Sequence, residues 1–413
     1  MKKASLWMYL PYCVPMAVAV FGAQLVFTNS SAIGYGFIAL LAMVVLLEPI
    51  LGEDNENYEW QFPNVFLGMM YLYAMGTFAT FLGFLWVMGH AHNGGDLLSI
   101  AAATHAITGF DMLAVHANDG LLEYARATLL FSVTATIGTV SIGHELCHRT
   151  HEPLSVFFAR AMGSLALFSY YAVEHPYGHH LTAGTPHDSS TALRGESVTT
   201  FFFRTFKQDY EIVWEIEKIR LEKLNQPLWS HHNSLLLGYA AEFLLILTVA
   251  ALTGFVGLLF FAVAILNAHW GYKVGVYGQH YGLVRDPESP LEVHHSWGCT
   301  NKVTNWFVDG IGRHADHHLA PQREFWNLEP YREGPQYEFG YFKTMAIARR
   351  KKSWDKLMVP KLIEWDKNYA TPEEKLLAMQ ANEKSGIPEL IAHAKQQRQE
   401  LEKAGLIAGA EAA

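Results

Sequence analysis

Cysteine is scarce, with three in 413 residues, Cys13, Cys147 and Cys299, far apart and without a Cys-x-x-Cys pair. That excludes a disulfide framework and encodes neither a zinc ribbon nor a rubredoxin-like iron site, so any iron-sulfur partner is a separate chain. Charge is scarce too, at 17% of residues against about a quarter in ordinary soluble domains. No Lys or Arg occurs between Lys3 and Arg126, and most lie from Arg194 onward. With a net charge of -9 the chain has no evident basic face to neutralise phosphates, which argues against nucleic acid as a partner. Internal repeats and low-complexity segments are absent as well.

Long apolar runs are plentiful, and 51% of residues are hydrophobic. Stretches of about 17–25 residues cross a bilayer, and such runs can be read at roughly 6–27, 33–51, 63–88, 121–143, 234–254 and 255–277. An all-α, multi-pass membrane protein built on a six-transmembrane-helix bundle is predicted. The first run follows a Lys pair but exceeds the length of a signal-peptide core, so it is expected to stay as an anchor. Basic residues favour the cytoplasmic side, which places 194–232, everything after 280 and the N-terminus in the cytoplasm of a cell whose inner membrane holds the chain. Six crossings satisfy that parity and put the loop 89–120 outside, with Arg126 a mild exception. A further apolar run, Val156–Val173, has histidines on both sides, so it is expected to be re-entrant or surface-lying rather than a crossing. The chain is thus divided into a transmembrane bundle, 1–280, that includes a cytoplasmic segment 144–233, a cytoplasmic helical cap, 281–370, and a polar helical tail, 371–413. Thr371-Pro372-Glu373-Glu374 carries the N-cap, first-turn proline and N3 glutamate of a helix start.

Histidine is the unusual count, because 16 of 21 fall between His144 and His318. Four groups stand out: His144-Glu-Leu-Cys-His148, Glu174-His175-Pro-Tyr-Gly-His179-His180, Gln279-His280-Tyr281-Gly282, and His314-Ala-Asp-His317-His318. Residues three or four apart share a helical face, so His144 with His148, His175 with His179, and His314 with His317 or His318 can each aim two imidazoles at one point. Each group adjoins an apolar segment, and the nine rings are expected to converge just beneath the cytoplasmic membrane surface. Imidazole suits zinc, copper, iron and nickel. Nine donors are too many for one ion; two ions held by four or five each fit the count, and iron is the one that commonly activates O2. A lone His-x-x-x-His pair is more often packed or solvated, but four such groups outweigh that reading.

On these residues the chain resembles the membrane-bound alkane 1-monooxygenases (AlkB type) and the related xylene and cymene methyl monooxygenases of the membrane desaturase-hydroxylase superfamily. Thr185-Pro186 with Asp188, Arg194-Gly195-Glu196-Ser197, His294-His295-Ser296-Trp297, and Pro360-Lys361 before Trp365-Asp366 belong to the same resemblance, which covers most of the chain. It implies two iron ions as cofactors, a rubredoxin or 2Fe-2S ferredoxin and its reductase as electron donor, O2 as co-substrate, and a hydrocarbon drawn from the lipid membrane. One oxygen atom enters a terminal methyl C-H bond, giving a primary alcohol. The iron ligands it implies are His144, His148, His175, His179, His180, His280, His314, His317 and His318. Gln279, where alkane hydroxylases usually carry Glu, and the Asp366-to-Pro372 segment look xylene-type, so the substrate is an alkane or an alkyl-aromatic.

Ligand tautomers need acceptors for the distal N-H, and Glu174, Asp188, Gln279 and Asp316 are the natural side chains, with His294 and His295 in hydrogen-bonding roles. Each could instead cap a helix or face solvent; Asp316, inside a histidine group, is read as an acceptor, and Glu174 fits either role. The basic run Arg349-Arg350-Lys351-Lys352 could dock an acidic electron carrier or contact anionic lipid. The insertion 89–119 has no assigned role, and its His90, His92, His105 and His116 are expected to face solvent. Glu242 and Lys273 lie at matching depth in adjacent runs and are expected to pair; the alternative has Lys273 reaching the headgroups beside a neutral Glu242. Other functions to be weighed are a membrane fatty-acyl desaturase, a membrane metal or proton transporter and a haem-binding membrane protein. The His280 group argues against the first, the position of the clusters at span ends against the second, and the third needs histidine pairs facing each other within the spans.

Overall fold

The computed structural model describes residues 2–407. It is helical almost throughout, and among the described residues the strands are two residues long, Lys2–Lys3 lying parallel to Tyr58–Glu59. Five helices are long and apolar enough to cross a membrane: Leu6–Thr28, Ser31–Leu51, Asn64–Asn93, Leu121–His148 and Ser234–Gln279. They make the chain an integral membrane protein. Large apolar side chains such as Tyr35, Ile38 and Ile50 on the second helix and Phe243, Phe255 and Leu266 on the fifth remain largely exposed, as surfaces facing lipid do.

The fifth helix has 46 residues, so at about 1.5 Å per residue it is about twice as long as a hydrocarbon core of about 30 Å. It is broken at Gly254, with φ 64° and ψ -169°. That backbone region is essentially confined to glycine, and a Cβ there would lie 2.6 Å from the His92 ring. Five helices appear where six apolar runs were read because a single non-helical residue separates the last two.

Close approach between the first and third helices depends on small residues. A Cβ on Gly76 would lie 2.7 Å from the Ala19 Cβ, and one on Gly83 would lie 2.8 Å from Val26 Cγ1. The first helix ends on Asn29 in the left-handed conformation, and Ser30 then caps the second by accepting from the Ile33 N-H.

The run Val156–Val173 is not one continuous helix. Pro153–Leu165 is helical, Leu167 takes a φ of 54°, and Tyr171–Glu174 is helical again. The chain thereby brings His175 and His180 back to His144 and His148.

Beyond the fifth helix, Tyr341–Ala348, Lys351–Asn368, Pro372–Lys384 and Pro388–Lys403 are helical. The start read at Thr371 is present: its Oγ1 accepts from the Glu374 N-H, and Glu374 Oε2 accepts from the Thr371 N-H at 2.9 Å. Arg194 donates to both oxygens of Asp366, at 2.7 and 2.9 Å, and also to Asn382 and the Gly282 carbonyl. Two signatures that stand far apart in the sequence are therefore one buried ion pair tying the C-terminal helices to the end of the fifth helix.

Two expectations are corrected. Glu242 does not pair with Lys273: its Oε1 accepts from the Ser169 N-H at 2.7 Å, while Lys273 Nζ donates to Asp209 Oδ2 at 2.7 Å. The turn after Pro153–Leu165 and the helix Val198–Lys223 each bring a polar group to these depths, which the spacing within the spans does not reveal. His116 is buried rather than solvent-facing, set between Asp119 and the Phe27 carbonyl and edge-on to Trp86. His92 and His105 are exposed, and His90 is partly so.

Candidate metal centre

The nine histidines form two groups, in each of which the potential donor atoms lie within 4.8 Å of one another. One comprises His144, His148, His175, His180 and His317; the other comprises His179, His280, His314 and His318. Local backbone geometry decides the division. His144 and His148 follow a π-helical turn, Gly138–Gly143, and share a group as their spacing of four predicts. The second cluster departs from that rule because His175–His179 is itself π-helical. With i→i+5 hydrogen bonding, i and i+5 come to one face, so His175 joins His180, their Nε2 atoms 3.0 Å apart, and His179 turns to the other group. In the last cluster His314 joins His318, and His317 goes to the first group. Neighbours in sequence, His179 with His180 and His317 with His318, therefore serve different groups.

The contacts within each group are not those of a hydrogen-bonded network. Nε2 of His280 lies 3.0 Å from Nε2 of His314 and 3.1 Å from that of His318, and the last two are 3.1 Å apart. His280 Nδ1 donates to the His295 carbonyl at 2.7 Å, leaving Nε2 one lone pair, which cannot serve two donors that also face each other. His144 Nε2 and His148 Nε2 are buried without a hydrogen-bond partner among the described residues. A cation inside each group resolves the conflict. Imidazole donors of this kind suit zinc, copper, iron and nickel. Burial, then neighbouring imidazoles, pushes His175, His180, His314, His317 and His318 well below the usual histidine range, and burial beside His179 takes His280 down to about 3. Neutral imidazole is the form that binds a metal.

Around these rings the expected acceptors are fewer than the sequence offers. Asp188 accepts from His179 Nδ1, 3.1 Å from both of its oxygens, and is itself held by Thr191 Oγ1 and the Ser190 N-H. Burial raises the Asp188 carboxyl, but the His179 charge and the bonds from His179 and Thr191 outweigh it and bring it to about 2. Glu174 instead accepts from Ser189, and Asp316 pairs with Arg323 and accepts from the Glu329 N-H; no imidazole reaches either. The buried amide nitrogen of Gln279 has no partner among the described residues. His295 contributes its backbone oxygen, a group that no side-chain motif announces, and His294 and His295 direct their rings at Glu374. Tyr12, Met70, Tyr73, Ile142 and Asp309 line a cavity of about 10 Å³, room for a single water, against the π-helical turn that leads to His144.

A helical membrane protein with adjoining groups of five and four largely buried imidazoles is of the histidine-rich membrane metalloenzyme class. The family model described as "Fatty acid desaturase" matches residues 120–344, more than half of the chain and a stretch that holds all nine histidines. The chain is 31% identical over 273 residues to the xylene/toluene monooxygenase hydroxylase component of Pseudomonas putida, covering 65% of this chain and 72% of that protein. It is 28% identical over 396 residues to alkane 1-monooxygenase 1 of Pseudomonas aeruginosa, covering 92% and 95%. With alkane 1-monooxygenase 1 of Alcanivorax borkumensis the identity is 27% over 378 residues, covering 88% and 86%. The chain belongs to the di-iron membrane hydroxylase family of alkane and xylene monooxygenases, within the fatty acid desaturase superfamily.

Proposed function

We propose that this chain is an O2-dependent di-iron monooxygenase that hydroxylates the terminal methyl group of a hydrocarbon, alkane or alkyl-aromatic, to the primary alcohol. The division of nine imidazoles, eight of them buried and that of His180 partly so, into groups of five and four carries this reading. His144, His148, His175, His180 and His317 would hold one iron, and His179, His280, His314 and His318 the other. Bound iron would supply reductive activation of O2, with one oxygen atom inserted into the C-H bond and the other released as water. Asp188 and the His295 carbonyl fix the tautomers of His179 and His280. Because the chain lacks a Cys-x-x-Cys pair, we assign electron supply to a separate rubredoxin or ferredoxin with its reductase.

The break at Gly254 favours six crossings, with the segments 234–253 and 255–279 as the last two. With the basic residues from Arg194 onward, it supports a reading in which the metal centre lies on the cytoplasmic face of the inner membrane, with the cap at 281–370 and the tail at 371–413 on the same side. The test is turnover of the chain in lipid nanodiscs with NADH, reductase and either carrier, under 18O2, offered n-alkanes and methyl-benzenes. One 18O per primary alcohol is expected. Formation of an alkene without label would establish the desaturase alternative instead.

A further inference from the structure

His280 differs from the other members of the four-histidine group. His179 and His318 are each next in sequence to a member of the other group, and His314 shares a helical turn with His318. His280 terminates the fifth helix, with no such neighbour. Its orientation depends on the bond from Nδ1 to the His295 carbonyl at 2.7 Å, which leaves Nε2 for the site. What holds His295 therefore matters to the metal.

The tail holds it. Glu374 is the N3 residue of the helix Pro372–Lys384, a position that usually lies on a surface, yet it is 2% exposed. Beyond closing the capping box, its Oε1 accepts from His295 Nε2 at 2.5 Å and its Oε2 from His294 Nε2 at 3.1 Å. The Glu292 N-H donates to His295 Nδ1 at 2.9 Å, so the ring proton sits on Nε2 and points at Glu374. Trp365 Nε1 donates to the His294 carbonyl at 2.7 Å. Three bonds from the C-terminal helices thus clamp the two residues that present the acceptor to His280.

His294, His295 and Glu374 could instead be a third metal site, since their donor atoms also lie within 4.8 Å of one another. The hydrogen bonds favour the clamp. A metal-bound imidazole donates its other N-H, whereas Nδ1 of His295 accepts one, so a metal at Nε2 would strip the ring of its only proton. The Glu374 carboxylate is already met by three donors.

We propose that Glu374 is a positioning residue for the four-histidine iron, acting through His295 on His280, so that docking of the tail helix controls the affinity of one iron and not the other. This rests on the di-iron reading above. Replacing a partner of a ligand weakens metal binding about 10- to 100-fold, and that loss is expected at the four-histidine site alone.

The experiment compares the full chain with Glu374→Ala and Glu374→Gln, loaded with 57Fe in nanodiscs and dialysed against a graded iron chelator. Total metal per chain, Mössbauer spectra and thermal unfolding are measured. The wild type is expected to show two components of equal area. Both variants should lose one component at 10- to 100-fold less chelator while keeping the other. Glu374→Gln, which preserves the side-chain volume and one acceptor, should show the smaller shift. Glu383→Gln, at the exposed pair with Arg398 on the same helix, should leave both components unchanged. Equal retention of both irons in the Glu374 variants overturns the inference, as does parallel loss of both irons together with the fold in both variants. A third metal in the wild type that vanishes in Glu374→Ala establishes the metal-site alternative. Fewer than two irons in the wild type overturns the di-iron reading itself, a result distinct from any difference between variants.

Discussion

Replacing Lys273 by Met should strand the Asp209 carboxylate inside the protein. Nζ and Oδ2 are 2.7 Å apart and the two side chains are 2% and 3% exposed. The Tyr170 hydroxyl donates to the same oxygen at 3.1 Å, while Asp209 Oδ1 has no partner among the described residues. The carboxylate therefore depends on one cation for its compensation. Breaking such a pair from one side costs about 3–5 kcal/mol, whereas removing both charges is close to neutral. Lys273→Met and Asp209→Asn should each lose about 3–5 kcal/mol, and the double variant only about 1–2 kcal/mol, since an amide still accepts from Tyr170. The assay is unfolding in mixed micelles titrated with dodecyl sulfate and followed by tryptophan fluorescence, completed as a double-mutant cycle. Losses that add to within about 0.5 kcal/mol would refute the pair. The cycle of Glu242→Gln with Lys273→Met should be additive, because Glu242 is satisfied by the Ser169 N-H. Iron per folded chain should be unchanged in Lys273→Met, since none of the contacts of Nζ is to an imidazole.

Glu48 caps Tyr341–Ala348 from the second helix, its oxygens accepting from the Phe342 and Lys343 N-H groups and the Thr304 hydroxyl. Glu48→Ala should cost about 3 kcal/mol, through buried donors left unpaired; a change in unfolding free energy below about 1 kcal/mol would mean that water replaces the carboxylate. His144→Ala, His148→Ala, His314→Ala and His318→Ala should each abolish hydroxylation while leaving membrane insertion intact, and turnover retained in any of them would sink the nine-ligand assignment. In a chain with its native cysteines replaced, single cysteines at Ser230 and Glu288 should be labelled from the cytoplasmic side and one at Phe255 from the opposite side. Labelling of Ser230 and Glu288 from opposite sides would mean that the fifth helix crosses once.

The spans were legible because burial in lipid demands runs of apolar residues, and composition alone marks them. The expectation that Val156–Val173 is re-entrant or surface-lying had a different basis: histidines on both sides of it had to meet, as they do, and a crossing would have parted them. The partner of Lys273 was not legible. Asp209 lies in a helix rich in charged residues, where an acidic side chain reads as solvated; only the packing of that helix against the fifth buries it. Likewise His116 lies in a polar loop, and its burial depends on the Phe27 carbonyl, which composition does not encode.

At the metal centre the donor types and their number could be read from sequence, but their allocation could not. The rule that i and i+4 share a face holds for His144 with His148 and for His314 with His318, and fails for His175 with His179 because the backbone there is π-helical. The consequence reaches beyond bookkeeping of ligands. When His179 and His180 turn to different groups, and His317 and His318 do the same, two peptide bonds fix the separation of the groups at both places. Consecutive Cα atoms are about 3.8 Å apart, so the relative placement of the two irons would be set by covalent geometry rather than by the packing of distant helices. His280 stands outside this covalent frame, so its placement has to come from elsewhere, and the structure supplies it through the His295 carbonyl and the tail.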